Sequence, residues 1–193
     1  MPDATVLVSL ADLKTFIKAT TSGSDGIIQS IKDGVEAAVK SYVGRDLIVT
    51  SYTEYHDGDG GSRLVLAQRP ITAVTSVYAD PARLFEAHTL IPASDIITGD
   101  ARAWAAGIIE LYQYRFLHSR KGTKVVYSAG YSTIPADLAL AVKLICAKVW
   151  KIQDKSMAGQ LSQTVGDQTI TFSLEDWPKD AVATLKKYRR LSP

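Results

Sequence analysis

The chain has 193 residues, enough for one domain to bury a hydrophobic core without disulfide staples. Its 22 basic and 20 acidic residues leave a net charge of +2, too balanced to indicate nucleic-acid binding on charge alone. A single cysteine, Cys146, rules out an intramolecular disulfide and suits a reducing compartment.

The first residues, MPDATVLVSLADLK, lack a basic segment followed by a long apolar core, so no signal peptide is expected. No apolar run approaches the roughly 18 residues of a membrane span. A soluble protein made in a cytoplasm is expected. Ser9 to Ala19 reads as a short helix: Leu10, Leu13, Phe16 and Ile17 recur at helical spacing behind Ser9, a natural N-cap. Thr20 to Ser24 is a loop by composition. Ser24 or Asp25 then caps a second helix to about Val43, with a stripe of Ile28, Ile31, Val35, Ala38 or Val39, and Tyr42. Gly44 follows as C-cap. Gly34 sits inside this helix, where glycine costs roughly 1 kcal/mol against alanine; a close helix–helix approach is one reason to keep it.

From Leu47 the period changes to two, and Ile48 to Tyr55 reads as a strand. Asp57-Gly-Asp-Gly-Gly61 is a turn signal, with Arg63 to Leu66 expected as the return strand of a hairpin. Arg69-Pro70 breaks the run. Ile71 to Tyr78 is a further strand, ended by Ala79-Asp80-Pro81. Asp95–Thr98, Ile108–Tyr112 and Lys124–Tyr127 are additional strand candidates. Helix returns at Pro135, a favoured first-turn residue. Leu138, Val142, Ile145, Val149 and Ile152 form one apolar row, and Leu140, Leu144 and Ala147 a second beside it; Lys143, Lys151 and Lys155 mark the polar strip. So broad an arc implies a helix enclosed on more than one side, with the first row serving as core or subunit contact. Gln163 to Phe172 reads as a hairpin around Gly166-Asp167. Pro178 opens a last helix, which carries Ala181, Val182, Leu185 and Tyr188 and ends in Lys186, Lys187, Arg189 and Arg190. The expected class is α+β: one domain over 1–193, a small bundle of helices at about 9–43 and 135–190, with a central antiparallel β module inserted at about 47–131.

No constellation in this sequence carries catalysis. A calcium loop starting at Asp57 would need ligands at its fifth and twelfth positions, which hold Gly61 and Gln68. His56, His88 and His118 are scattered, none at a metal-ligand spacing. Cys146 lies on an apolar helix with no activating neighbour. No nucleophile elbow, phosphate loop or dinucleotide fingerprint occurs. No enzyme activity, metal or cofactor is expected. The C-terminal KKYRR cluster has two readings: a solvated helix end that suits the helix dipole, or a docking element anchored by Tyr188, Arg189 and Arg190, with Trp177 nearby. Duplex DNA binding through the same basic helix is a third.

Four features in order resemble the head–tail connector proteins of tailed bacteriophages, also called head-completion or adaptor proteins. They are Ser41-Tyr-Val-Gly-Arg-Asp-Leu47 closing the second helix; Leu64-Val-Leu66 followed by Pro70-Ile71-Thr-Ala-Val-Thr-Ser-Val77; Tyr127-Ser-Ala-Gly-Tyr131 with Ile134-Pro135-Ala-Asp-Leu138 and a long helix; and a closing Leu185-Lys-Lys-Tyr-Arg-Arg190. The resemblance implies a virion structural protein that assembles in the host cytoplasm and forms a homo-oligomeric ring, usually of twelve, below the portal protein at the capsid vertex. The ring would extend the channel for genomic DNA, without sequence-specific contact, and carry the downstream head-closure or tail protein. No membrane is involved. The family's portal-contacting C-terminal segment maps here to about Trp177 to Pro193, with Trp177, Leu185, Tyr188, Arg189 and Arg190 as candidate docking residues. Deleting that segment is expected to leave a folded core and weaken portal attachment.

Overall fold

Local signals set the first elements. Ser9 caps α1 (Leu10–Ile17) by accepting from the Asp12 amide at 3.1 Å, and α2 (Asp25–Val43) ends where Gly44 turns left-handed. The computed structural model describes residues 6–98, 100–157 and 177–189. After α2 come β1 (Thr50–Gly58), β2 (Arg63–Val65), β3 (Ile71–Ala79), α3 (Ala101–Ala106), β4 (Ile108–Glu110), β5 (Ser119–Ala129), α4 (Ala136–Met157) and α5 (Lys179–Tyr188). The expected hairpin at Gln163–Phe172 lies outside the described residues. The chain divides into two units, one of Val6–Arg45 with Ile134–Pro193 and one built on Asp46–Thr133.

The first unit is helical. α4 packs against α1, α2 and α5, and α2 also meets α1 and α5. Its core takes Leu13 from α1, Ile28, Ile31, Val35, Val39 and Val43 from α2, and Ala181 and Leu185 from α5. The i, i+4 spacing of Ile31, Val35, Val39 and Val43 places them on one face, so a single stripe is enough to bury α2.

The second unit is antiparallel β, and its pairing differs from the sequence reading. Arg63–Val65 is not the return strand of β1. β1 pairs with β5, β3 pairs with the other edge of β5, and β2 pairs with β4 in a separate two-stranded ribbon. The turn after β1 is spent on the segment leading into β5 instead: Gly60 N–H donates to the Phe116 carbonyl at 2.7 Å, and Phe116 N–H to the Gly61 carbonyl at 2.8 Å. Gly58 makes this approach possible, since a Cβ there would sit 1.9 Å from the Leu117 carbonyl oxygen. Asp95–Thr98 is likewise not a strand; Ala93–Asp95 is a 3-10 turn, and only Ile96 bridges to Leu111. α3 has no counterpart in the sequence reading. Asp100 caps it through the Arg102 and Ala103 amides, and six residues are too few for a periodic signal.

Alternation along β5 divides the sheet's faces. Val125, Tyr127 and Ala129 point into a core with Leu66, Ile71, Val77, Ile109 and Phe116, while Lys124, Val126 and Ser128 lie on the other face. At the end of β5, Gly130 (φ +131°) brings Tyr131 beside Ile48 in a parallel bridge; a Cβ there would lie 2.5 Å from the Ile48 carbonyl.

Candidate interaction surfaces

The C-terminal helix is held down on both sides. Leu185 is wholly buried beneath it. Trp177 is 7% exposed and stands edge-on to Tyr42, ring centroids 5.7 Å apart. Tyr188 is half-buried: its hydroxyl donates to Asp137 Oδ1 at 2.5 Å, and its carbonyl accepts from Arg45 Nε at 2.8 Å. The bond from Tyr188 holds the Asp137 carboxyl below its ordinary range. Arg189 is exposed, with its guanidinium 5.6 Å from the Tyr42 ring centroid. Arg190 lies outside the described residues. Of the five candidate docking residues, two therefore face inward, Tyr188 and Arg189 lie at the rim, and one is not described. The burial also corrects the expectation about truncation. Removing Trp177–Pro193 strips Trp177, Ala181 and Leu185 from the core, so the remainder would not keep an intact helical unit.

The α4 arc splits in the same way. Leu138, Val142 and Ile145 are buried against the unit's other helices, with Ala141 and Cys146 beside them, and Val149 is half-buried. The second row is less covered: Leu144 and Ala147 are half-buried and Leu140 is 48% exposed. Leu138, Val142 and Ile145 of the first row are core. The Leu140 side of the second row is apolar surface that the described chain leaves open.

Three groups of titratable side chains were invisible in the linear sequence, and all have structural partners. Lys32 is 3% exposed on α2, with its ammonium 3.0 Å from Asp33 Oδ1 and 3.6 Å from Glu36 Oε2. Burial works to lower its pKa, but the two carboxylates outweigh this and hold it above the usual lysine range. Glu36 Oε1 also accepts from the Val8 amide at 3.2 Å. Nearby, burial pushes the Cys146 thiol up to about 12, which keeps it inert as a nucleophile.

In the β unit, Glu54 accepts from the Tyr127 hydroxyl at 2.5 Å and the Ala67 amide at 3.0 Å, and lies 2.8 Å from His56 Nε2. Tyr127 in turn accepts from the Gln68 amide. Burial works to raise the Glu54 carboxyl, but these partners outweigh it and hold the group below its usual range. Glu54 and the Tyr127 hydroxyl thereby tie the backbone of residues 67–68 to the sheet. Tyr52 is similarly committed: its hydroxyl donates to Asp46 at 2.7 Å, and burial, then that carboxylate, push it up to about 12. Among the described residues no group of three or more His, Cys, Asp or Glu could hold a metal ion, and no helix is long and apolar enough to cross a membrane.

A family model described as head completion protein matches residues 6–191. No curated protein matches the chain at a significant level. Among solved structures, a chain in the neck of an empty gene transfer agent particle, computed with C6 symmetry, is 18% identical at a TM-score of 0.59, with 99% of this chain and 95% of that chain covered. A chain from the virion of the native particle is 18% identical at 0.57, covering 100% and 96%. A chain in the native particle's neck, computed with C12 symmetry, is 17% identical at 0.54, covering 99% and 95%. At these identities the likeness is one of fold.

Proposed function

Because the chain belongs to the head completion protein family, whose members are structural virion proteins and not enzymes, we propose that it forms a homo-oligomeric ring below the portal. It is a structural protein of the head–tail neck and a virion component. In the proposed role the ring extends the channel through which genomic DNA passes and carries the next head-closure or tail protein. The observation that supports this reading most is the combination of a family match over nearly the whole chain with a fold likeness to chains in gene transfer agent necks computed with C6 and C12 symmetry. Twelve subunits is the proposed number.

A ring subunit needs two different contact faces, because rotational symmetry joins unlike surfaces head to tail. The open Leu140 side of α4 is the proposed subunit contact in the helical unit, with exposed Leu140 beside half-buried Leu144 and Ala147. The proposed portal contact is the rim formed by Tyr188 and Arg189 together with Arg190 beyond the described residues, with Trp177 and Leu185 anchoring the helix from below. The near-neutral charge suits a channel that lets DNA slide, since each neutralised phosphate adds to grip. Assembly in the host cytoplasm belongs to the same proposal.

The test is to mix the purified chain with portal and to measure mass in solution together with negative-stain images. A ring on the portal is expected. A strict monomer that never associates with portal refutes the reading. The alternative, duplex binding through the C-terminal basic helix, predicts salt-dependent binding that disappears when Lys186, Lys187, Arg189 and Arg190 are neutralised.

A further inference from the structure

We infer that the end of the β unit where β1 stops and β5 begins is a docking surface for an acidic, partly apolar face of the next neck component. The inference rests on the neck reading above and names the surface and its partner's chemistry. Three features of this end carry it.

The first is backbone strain held in place. Four described non-glycine residues adopt the left-handed conformation: Lys18, Arg83, Phe85 and Lys121. Three of them fall at this end. Side-chain-bearing residues disfavour that conformation and keep it only where their surroundings over-determine it. Here the surroundings are two carboxylates. Asp80 is 5% exposed and accepts from the Ala82, Leu84 and Phe85 amides at 2.7–2.8 Å, while its own amide donates to the Gly122 carbonyl. Asp57 Oδ1 accepts from the Lys121 amide at 2.7 Å inside a break in the β1–β5 register, where His56 faces Thr123 and Gly58 faces Ser119. The Phe85 ring then pins the loop to the sheet, 5.5 Å from the Tyr55 ring and 5.6 Å from Lys124 Nζ.

The second is a separation of charge by role. The carboxylates of Asp57 and Asp80 point at backbone N–H groups. The side chains of Arg83, Arg120 and Lys121 are exposed and make no ion pair among the described residues. Fixed backbone beneath free cations is a rigid positive surface, which steers an acidic partner and sets its register.

The third is apolar area at the same end. Leu84 is 69% exposed at the tip of the Asp80-held loop, and Leu117 is 46% exposed beside Gly58. A duplex backbone would satisfy the cations but leave Leu84 in water. A protein face with carboxylates around an apolar pocket satisfies both, and arginine is among the residues enriched at interface centres.

The test uses particles assembled with three variants: Arg83→Glu with Arg120→Glu and Lys121→Glu; Leu84→Asp; and, as control, Lys18→Glu with Arg102→Glu. Subunit stoichiometry is read by quantitative mass spectrometry of purified heads. All the altered side chains are exposed, so melting temperatures should match the wild type, and a variant that melts early is replaced by its alanine counterpart. The first two variants should keep this chain at normal copy number and lose the next neck component by about tenfold or more, while the control keeps both. Retention of the next component in either of the first two variants overturns the inference. Loss of the chain itself from heads in those variants also overturns it, because the surface would then serve portal or self contact. If the wild-type chain is absent from heads, the neck reading fails instead. A short random-sequence DNA duplex, tested by fluorescence anisotropy, gives the remaining outcome. Duplex binding abolished by the charge variant and untouched by Leu84→Asp would assign the surface to nucleic acid and overturn the protein partner.

Discussion

Replacing Trp177 with alanine separates packing from docking in the C-terminal helix. The indole is 7% exposed and edge-on to Tyr42. Truncating a buried aromatic side chain to alanine costs about 3–5 kcal/mol. For a chain of this length each kcal/mol moves Tm by roughly 2–4 °C, so a drop of about 6–20 °C is expected. Trp177→Phe is the internal control. The indole Nε1 is buried without a hydrogen-bond partner among the described residues, so losing it breaks no described bond, and the cost should be well below that of the alanine change, which removes the whole ring system. Thermal unfolding followed by far-ultraviolet circular dichroism reads stability, and portal binding is measured well below the transition. A Trp177→Ala protein that melts within about 2 °C of the wild type, yet fails to bind portal, would refute the packing assignment.

Tyr127→Phe removes one bond to an ionised carboxylate and leaves the Gln68 amide short of its acceptor, a loss of about 2 kcal/mol in urea unfolding near neutral pH. The Glu54 carboxyl is depressed in the fold, so its contribution is present above the unfolded value and lost as pH falls through the folded one. The gap between variant and wild type should narrow in that acidic window, and a gap independent of pH would contradict the assignment. Asp137→Ala releases Tyr188 and should lower Tm; because the Asp137 carboxyl is also depressed, the wild-type advantage should vanish as pH falls through its folded value. Glu36→Gln leaves the buried Lys32 ammonium with Asp33 alone and should cost about 2–3 kcal/mol in chemical unfolding, with Lys32→Met in the same chain recovering most of it. No recovery would show that the pair is held for something other than charge balance.

How far the sequence could be read depended on the range of the forces involved. Ser9, Gly44, Pro135 and Pro178 act on their own helix ends, so α1, α2, α4 and α5 were legible locally. The strands of the central module were legible by period, but their partners were not. The Asp57–Gly61 turn signals a reversal, and what it reverses against is set by the approach of Leu117 to Gly58 and by the hydrogen bond that the Lys121 amide donates to Asp57, both partners far along the chain. The α4 rows could be counted from spacing, but only the packing of α1, α2 and α5 decides that the Leu138 row is covered and Leu140 is not. Trp177 ahead of a helix with a basic far end looks the same in sequence whether it anchors a partner or its own bundle. The Asp80 clasp had no sequence signal beyond a turn-forming Ala-Asp-Pro, because its acceptor role depends on two left-handed residues that sequence patterns do not predict.

That the chain is a ring subunit of the neck is tested most directly by electron cryomicroscopy of particles that contain it. The predicted result is a closed ring of this chain between portal and tail, with the helical unit and the β unit each fitting its density. Complete necks that lack the chain, or the chain placed elsewhere in the particle, would contradict it.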